Sequence, residues 1–243
     1  MIPRKSFAFP LFIFLFAYAV RLVYLFHFQE NPYFDYIPPL WDQASYDLAA
    51  SEFASGNYSF ILNYGEKFSA FYKYFLGVVY LLVDRDFFWV WSVQFLFGAL
   101  SAVLVYAIGL RLFDRKIALL SSALFALYGP QIYYEAILYR EFLATFFVLL
   151  SCYAALRYAD DPNSKNAVWM ALPFSLMAQC RPNLILLAPF VIWFLVSADK
   201  ERGFAPSSGK RVAVFVFTIL VAMAPLWASS VWVHKRFVFI DDS

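Results

Sequence analysis

Charge is scarce in this chain. Of its 243 residues only 15% are Asp, Glu, Lys or Arg, while 63% are hydrophobic. A water-soluble domain of this length could not bury that much apolar surface. A basic excess is also lacking: a net charge of +2 gives no cationic surface for nucleic acid, and no nucleic-acid partner is expected. The two cysteines, Cys152 and Cys180, each lie inside an apolar run. They read as small buried hydrophobes and imply no disulfide framework. The two histidines, His27 and His234, stand alone, and no Cys/His cluster has metal-site spacing. Features of a cleavable leader are scarce too. After Met1-Ile-Pro-Arg-Lys5 the apolar run over residues 7–28 is too long for a signal-peptide core, and no small-residue cleavage site follows it. That run reads as an uncleaved first helix.

Long apolar runs and aromatics are what the chain has in excess. Aromatic residues make up 22%, which suits lipid-facing helices with aromatic belts at both interfaces. A membrane helix needs about 20 apolar residues to cross about 30 Å. The candidate runs are residues 7–28, 68–83, 87–110, 117–134, 142–158, 167–180, 184–196 and 212–233. Charges or turn residues close most of them: Asp84-Arg85-Asp86, Arg111 to Lys116, Asp160-Asp161-Pro162 and Arg181-Pro182-Asn183. With the N-terminus in the cytoplasm and residues 68–83 lying at the interface, the larger share of the 19 Lys and Arg falls inside and most acids fall outside. Making 68–83 a full span would reverse every later loop and move those cations outside. The expectation is therefore an all-α polytopic inner- or plasma-membrane protein. It forms a single transmembrane domain over residues 1–243, with about seven transmembrane helices. A first outer loop, residues 29–83, carries interfacial amphipathic helices.

In that loop Pro38-Pro39 stiffens the chain, and an alanine-rich stretch runs from Leu40 to Ser55 before Gly56-Asn57 stops it. This is the pattern of a helix. Asp42, Tyr46, Ala49 and Phe53 share one face. Trp41, Ala44 and Leu48 form an apolar stripe suited to lying flat on the outer leaflet. Asp42 is either a first-turn acid that complements the helix dipole or a carboxylate with a chemical role. Asp47 and Glu52 read as solvated face residues.

The second outer loop, residues 132–141, is short and aromatic and ends in Arg140-Glu141. Charges at membrane depth are costly and face a cavity, a partner or, by snorkelling, the headgroups. Arg181 lies between two apolar runs of 14 and 13 residues, each covering only about 20 Å. It is therefore expected below the outer surface, where a guanidinium suits a phosphate. The other reading is local thinning, with the arginine reaching headgroups.

Several stretches, in this order, resemble membrane-embedded glycosyltransferases of the GT-C superfamily. They are Leu40-Trp-Asp-Gln-Ala-Ser-Tyr-Asp-Leu-Ala-Ala50 with Ala54-Ser-Gly-Asn57; Phe71-Tyr-Lys-Tyr-Phe-Leu76; Gln94 with Val105-Tyr-Ala-Ile-Gly-Leu-Arg-Leu-Phe113; Ala126-Leu-Tyr-Gly-Pro130 with Tyr134-Glu135; and Arg181-Pro-Asn-Leu-Ile-Leu-Leu-Ala-Pro189. The likeness is to bacterial relatives of dolichyl-phosphate-mannose protein mannosyltransferases and lipid A aminoarabinose transferases. It implies an acid in the first outer loop at the sugar-transfer site, matched by position at Asp42. It also implies a basic residue near the lipid phosphate, matched at Lys67, and a polar pair at Arg140 and Glu141. Glu135, within a matching stretch, is a further candidate for substrate binding. The implied donor is a polyprenyl-phosphate-linked sugar used on the periplasmic or outer face, and the acceptor is a protein or a glycolipid. Two departures stand out. Many relatives carry an acidic pair where Gln43 here follows Asp42, which weakens a metal-binding version. Relatives are also about twice as long, and residues 236–243 read as the start of a further outer segment, so the chain is expected to be part of a longer product.

Such transfer needs a carboxylate base, cations for the departing phosphate and a membrane-level cavity for the prenyl chain. Asp42 would be the base and Lys67, Arg140 and Arg181 the phosphate clamp. Tyr46, one turn from Asp42, would hold the sugar or the base. No cofactor is required; a divalent metal is conceivable but not indicated. The competing classes are a transporter or glycan-assembly factor, and a ligase or polymerase of lipid-linked glycans. A transporter should show repeated halves with broken helices, and no internal repeat is evident here.

Overall fold

The computed structural model describes residues 8–58, 70–203 and 207–234, and among them every regular element is helical. Helix α1 is Ala8–Phe28, an apolar rod interrupted by Arg21. Helix α2, Asp42–Ala54, starts with an acid in its first turn. It ends before Gly56, whose φ of +86° a side chain would disfavour. Helix α3 is Ala70–Val83 and α4 is Phe87–Leu112. Asp86 caps α4 by accepting from the Phe88 amide at 2.9 Å. Asp114 does the same for α5, Arg115–Ala126, accepting from the amides of Lys116 and Ile117. A short helix α6, Gly129–Glu135, has Pro130 in its first turn. Helix α7 is Glu141–Asp160, and α8 is Ser164–Cys180, capped by Asn163. A 3-10 turn, Pro182–Leu187, runs into α9, Ala188–Glu201, and α10 is Ser208–His234.

Five stretches are long and apolar enough to cross a membrane: Ala8–Phe28, Phe87–Leu112, Glu141–Asp160, Pro182–Glu201 and Ser208–Ala228. Between 17% and 44% of the most apolar part of each is buried in the protein, so most of their surface is left for lipid. The two other runs expected to span are built differently. Residues 117–134 divide into α5 and α6 around Leu127 and Tyr128, where the chain turns ahead of Gly129-Pro130. Helix α8 has 17 residues, of which ten are buried beneath its neighbours, so its mixed polarity fits a helix facing protein. Helix α3, at 14 residues, covers only about 21 Å.

Helix α4 is the hub. It packs on α1, α5 and α7, while α8 lies between α7 and α10. Lipid tails are as apolar as leucine, so helix association in a membrane depends on close packing and polar ties rather than on hydrophobic transfer. Both are present. A Cβ at Gly109 would stand 2.8 Å from the Ala118 Cα, so glycine lets α4 and α5 touch backbone to backbone. Aromatic rings fill the α3–α4–α7 junction: Phe75 meets Phe97 edge-on at 5.4 Å, Phe97 meets Phe146 at 5.1 Å, and Phe142 meets Tyr72 at 6.0 Å.

Helices α2 and α3 lie against each other beside this bundle. Tyr46, Ala49 and Ala50 face inward, whereas Trp41 and Leu48 are exposed together with Leu81 and Leu82 of α3. Asp47 differs from its expected solvated place. It accepts from Tyr80 Oη at 2.7 Å and from both Nε and Nη2 of Arg85, at 2.7 and 3.0 Å. The sequence hides this because Arg85 arrives from the turn after α3, 38 positions away.

Candidate functional site

The strongest polar tie lies beneath the site. Arg21 donates from Nε to Glu135 Oε2 at 2.5 Å and from Nη2 to Oε1 at 3.0 Å, and its Nη1 reaches the carbonyls of Ala17 and Ala126. Neither side chain is exposed. Gln131 adds a hydrogen bond to Glu135 Oε1 at 3.0 Å. Gly98 of α4 leaves the room, since a Cβ there would fall 2.2 Å from Glu135 Oε2. Next to this pair, Gln94 Nε2 donates to the carbonyls of Glu135 and Ile137, at 2.7 and 3.1 Å, while Gln94 Oε1 accepts from Tyr72 Oη at 2.9 Å. The segment between α6 and α7 is thereby anchored from inside the bundle by α1, α3 and α4.

That anchored segment presents Tyr139, Arg140 and Glu141. Tyr139 stands close to the start of α2. Burial is the main cause that raises its phenol, the Asp42 charge adds to this, and a hydrogen bond with Gln43 acts the other way. Glu141, the first residue of α7, forms an ion pair with Arg181, the C-cap of α8. Its Oε1 takes that bond, while Oε2 is buried with no hydrogen-bond partner among the described residues. Arg140 and Glu141 both act electrostatically on the buried Cys180 thiol, one position before Arg181. Four segments thus converge: the N-terminus of α2, the α6–α7 loop, the start of α7 and the end of α8. The arrangement offers a half-buried carboxylate at Asp42, a phenol at Tyr139, cations at Arg140 and Arg181, and an open acceptor on Glu141.

The structure gathers Asp42, Arg140, Glu141 and Arg181 from the sequence candidates. Tyr46 lies fully buried one turn from Asp42, with its ring edge-on to Tyr72 at 5.1 Å. Glu135 is turned away from the cleft toward Arg21, Gln131 and Gly98. Lys67 lies outside the described residues. Arg181 is held for a different reason from the expected short spans. Helix α8 begins at Ser164, and the stretch after Arg181 runs to Glu201, so polar residues extend both helices beyond their apolar runs. Its side chain is 39% exposed, and Glu141 is what fixes it. The sequence reading passed over Tyr139 and Arg21. Arg21 carried a signal, since a cation inside an apolar span demands a partner; nothing distinguished Tyr139 from its tyrosine neighbours. Among the described residues no group of three His, Cys, Asp or Glu side chains is placed to hold a metal ion.

No curated protein and no solved structure matches the chain. A family model described as dolichyl-phosphate-mannose-protein mannosyltransferase matches residues 69–232, from the start of α3 through most of α10. Arg140, Glu141 and Arg181 fall within the matched residues, and Asp42 precedes them. The match covers more than half of the chain, which therefore belongs to this family of membrane glycosyltransferases of the GT-C kind.

Proposed function

We propose that the chain moves a sugar from a polyprenyl-phosphate-linked donor to a hydroxyl of a protein or glycolipid acceptor, in the cleft between α2 and the starts of α7 and the 3-10 turn. The observation that carries this reading is that the Asp42 carboxylate and Glu141, the partner of Arg181, both act on Tyr139. A transfer site needs a base and a phosphate clamp around one cleft, and Asp42 with Arg140 and Arg181 supplies the residue types for both.

In the reaction the acceptor oxygen attacks the anomeric carbon, and the bond from that carbon to the phosphate oxygen breaks. The acceptor proton passes to Asp42, acting as general base. The leaving polyprenyl phosphate carries the negative charge, which Arg181 receives with its planar fork while Arg140 adds a second cation. Lys67 is the third member proposed for that clamp. Glu141 orients Arg181 through Oε1. Tyr46 supports the site from beneath by fixing α2 against Tyr72. With cations on the leaving group, no metal is needed. The bias of Lys and Arg toward the opposite face supports a periplasmic or outer position for the cleft.

The test is a transfer assay on the purified protein in lipid vesicles, given either a polyprenyl-phosphate sugar or the matching nucleotide sugar. Product formed only from the lipid donor, and undiminished by EDTA, supports the reading. Product formed from the nucleotide sugar alone contradicts it.

A further inference from the structure

Helix α7 has 20 residues, so its far end lies about 30 Å from the cleft, at the opposite side of the membrane region. A second cavity opens there. Its mouth, about 600 Å³, is polar and lies among Arg111, Arg157, Asp160, Asp161 and Lys165. A slot of about 310 Å³ continues from it between α7 and α8, past Phe147, Leu150, Leu172 and Leu176. Mouth and slot share Tyr153, Arg157, Asn166 and Trp169 and so form one continuous space. One end is charged and the other apolar, which is the shape of a site for an amphiphile rather than for a sugar or a free ion.

The charges favour an anion. Asp160 is already paired with Arg111, whose guanidinium also stacks over the Tyr153 ring at 5.1 Å. Asp161 accepts from Asn163 Nδ2 at 2.7 Å. The side chains of Arg157 and Lys165 make no hydrogen bond or ion pair among the described residues, and both residues are exposed at the mouth. Trp169, also exposed, has the amphipathic ring that prefers the headgroup level. The slot also has a telling length. From Arg157 to Phe147 is ten helical residues, or about 15 Å, which is half of a hydrocarbon core about 30 Å thick. A chain lying in it therefore ends at the middle of the membrane, as an acyl chain of that leaflet does. A polyprenyl chain would overrun it.

We propose that this cavity binds one anionic phospholipid of the leaflet opposite the transfer cleft, with its phosphate on Arg157 and Lys165 and one acyl chain in the α7–α8 slot. The site is independent of the transfer reaction and would wedge the two helices that carry Glu141 and Arg181 at their other ends. The test is native mass spectrometry of the whole purified protein with phosphatidylglycerol or phosphatidylcholine added, alongside thermal unfolding as a check on fold. Phosphatidylglycerol should be retained preferentially. The double variant Arg157→Ala with Lys165→Ala, which removes only exposed side chains, should weaken that retention at least about tenfold. Leu150→Trp, which plugs the slot and leaves the cations, should weaken it as well, while glycerol phosphate should not displace the lipid. Equal retention of both lipids, or the double variant binding like the parent, overturns the proposal. Displacement by glycerol phosphate would reveal a simple anion site, and stronger retention of a polyprenyl phosphate would reveal a carrier-lipid site; either overturns it too.

Discussion

Arg21 and Glu135 meet in a two-bonded ion pair in which neither side chain has any exposed surface, 114 positions apart in the chain. The pair ties the first helix to the segment that leads into the proposed transfer cleft. In a membrane, where apolar transfer does not drive helices together, such a tie sets how α1 sits against α4 and α6.

Breaking the pair from one side should be costly, because the remaining charge is left buried without its partner. Arg21→Met or Glu135→Leu alone should each destabilise the protein by about 3–5 kcal/mol, and the double substitution by distinctly less. Gly98→Ala should act like the single variants by pushing its methyl into the Glu135 carboxylate. Thermal unfolding in detergent measures all four. Additive losses in the double variant would contradict a coupled pair.

The cleft's cation can be tested without turnover. Arg181→Lys should weaken binding of a polyprenyl-phosphate sugar, because lysine keeps the charge and loses the fork. Arg181→Ala should weaken it further. Titration of the purified protein reads both. If both bind like the parent, Arg181 serves only its pair with Glu141, and the phosphate must be sought near Arg140 and Lys67.

Sidedness follows from the charge bias. In a protein with Cys152 and Cys180 replaced by alanine, an impermeant thiol reagent added outside should label Asn57→Cys, just past α2, and spare Ser207→Cys, just before α10. The reverse pattern would turn the cleft toward the cytoplasm.

The helical membrane fold was legible because apolar runs of about 20 residues have few alternatives. The start of α2 and its stop at Gly56 were legible for a similar local reason: a proline pair before it, and a glycine after it. Pairings between distant segments were not. Asp47 looked solvated because its partners, Tyr80 and Arg85, lie a helix away in sequence. Glu135 looked like a cleft candidate because it lies in a stretch that resembles the family; only the packing shows its carboxylate facing Arg21. Tyr139 was invisible among the loop's aromatics, since only the fold brings it to Asp42 and Gln43.

If Asp42 takes the acceptor's proton, the Asp42→Asn variant should lose turnover. The amide keeps the shape and cannot accept the proton. The measurement is sugar transfer from a polyprenyl-phosphate donor by the purified variant and its parent, with donor binding titrated in the same preparations. Turnover should fall at least about a hundredfold with donor binding retained. Near-parental turnover would contradict it and leave Asp42 as the acid that steadies the first turn of α2.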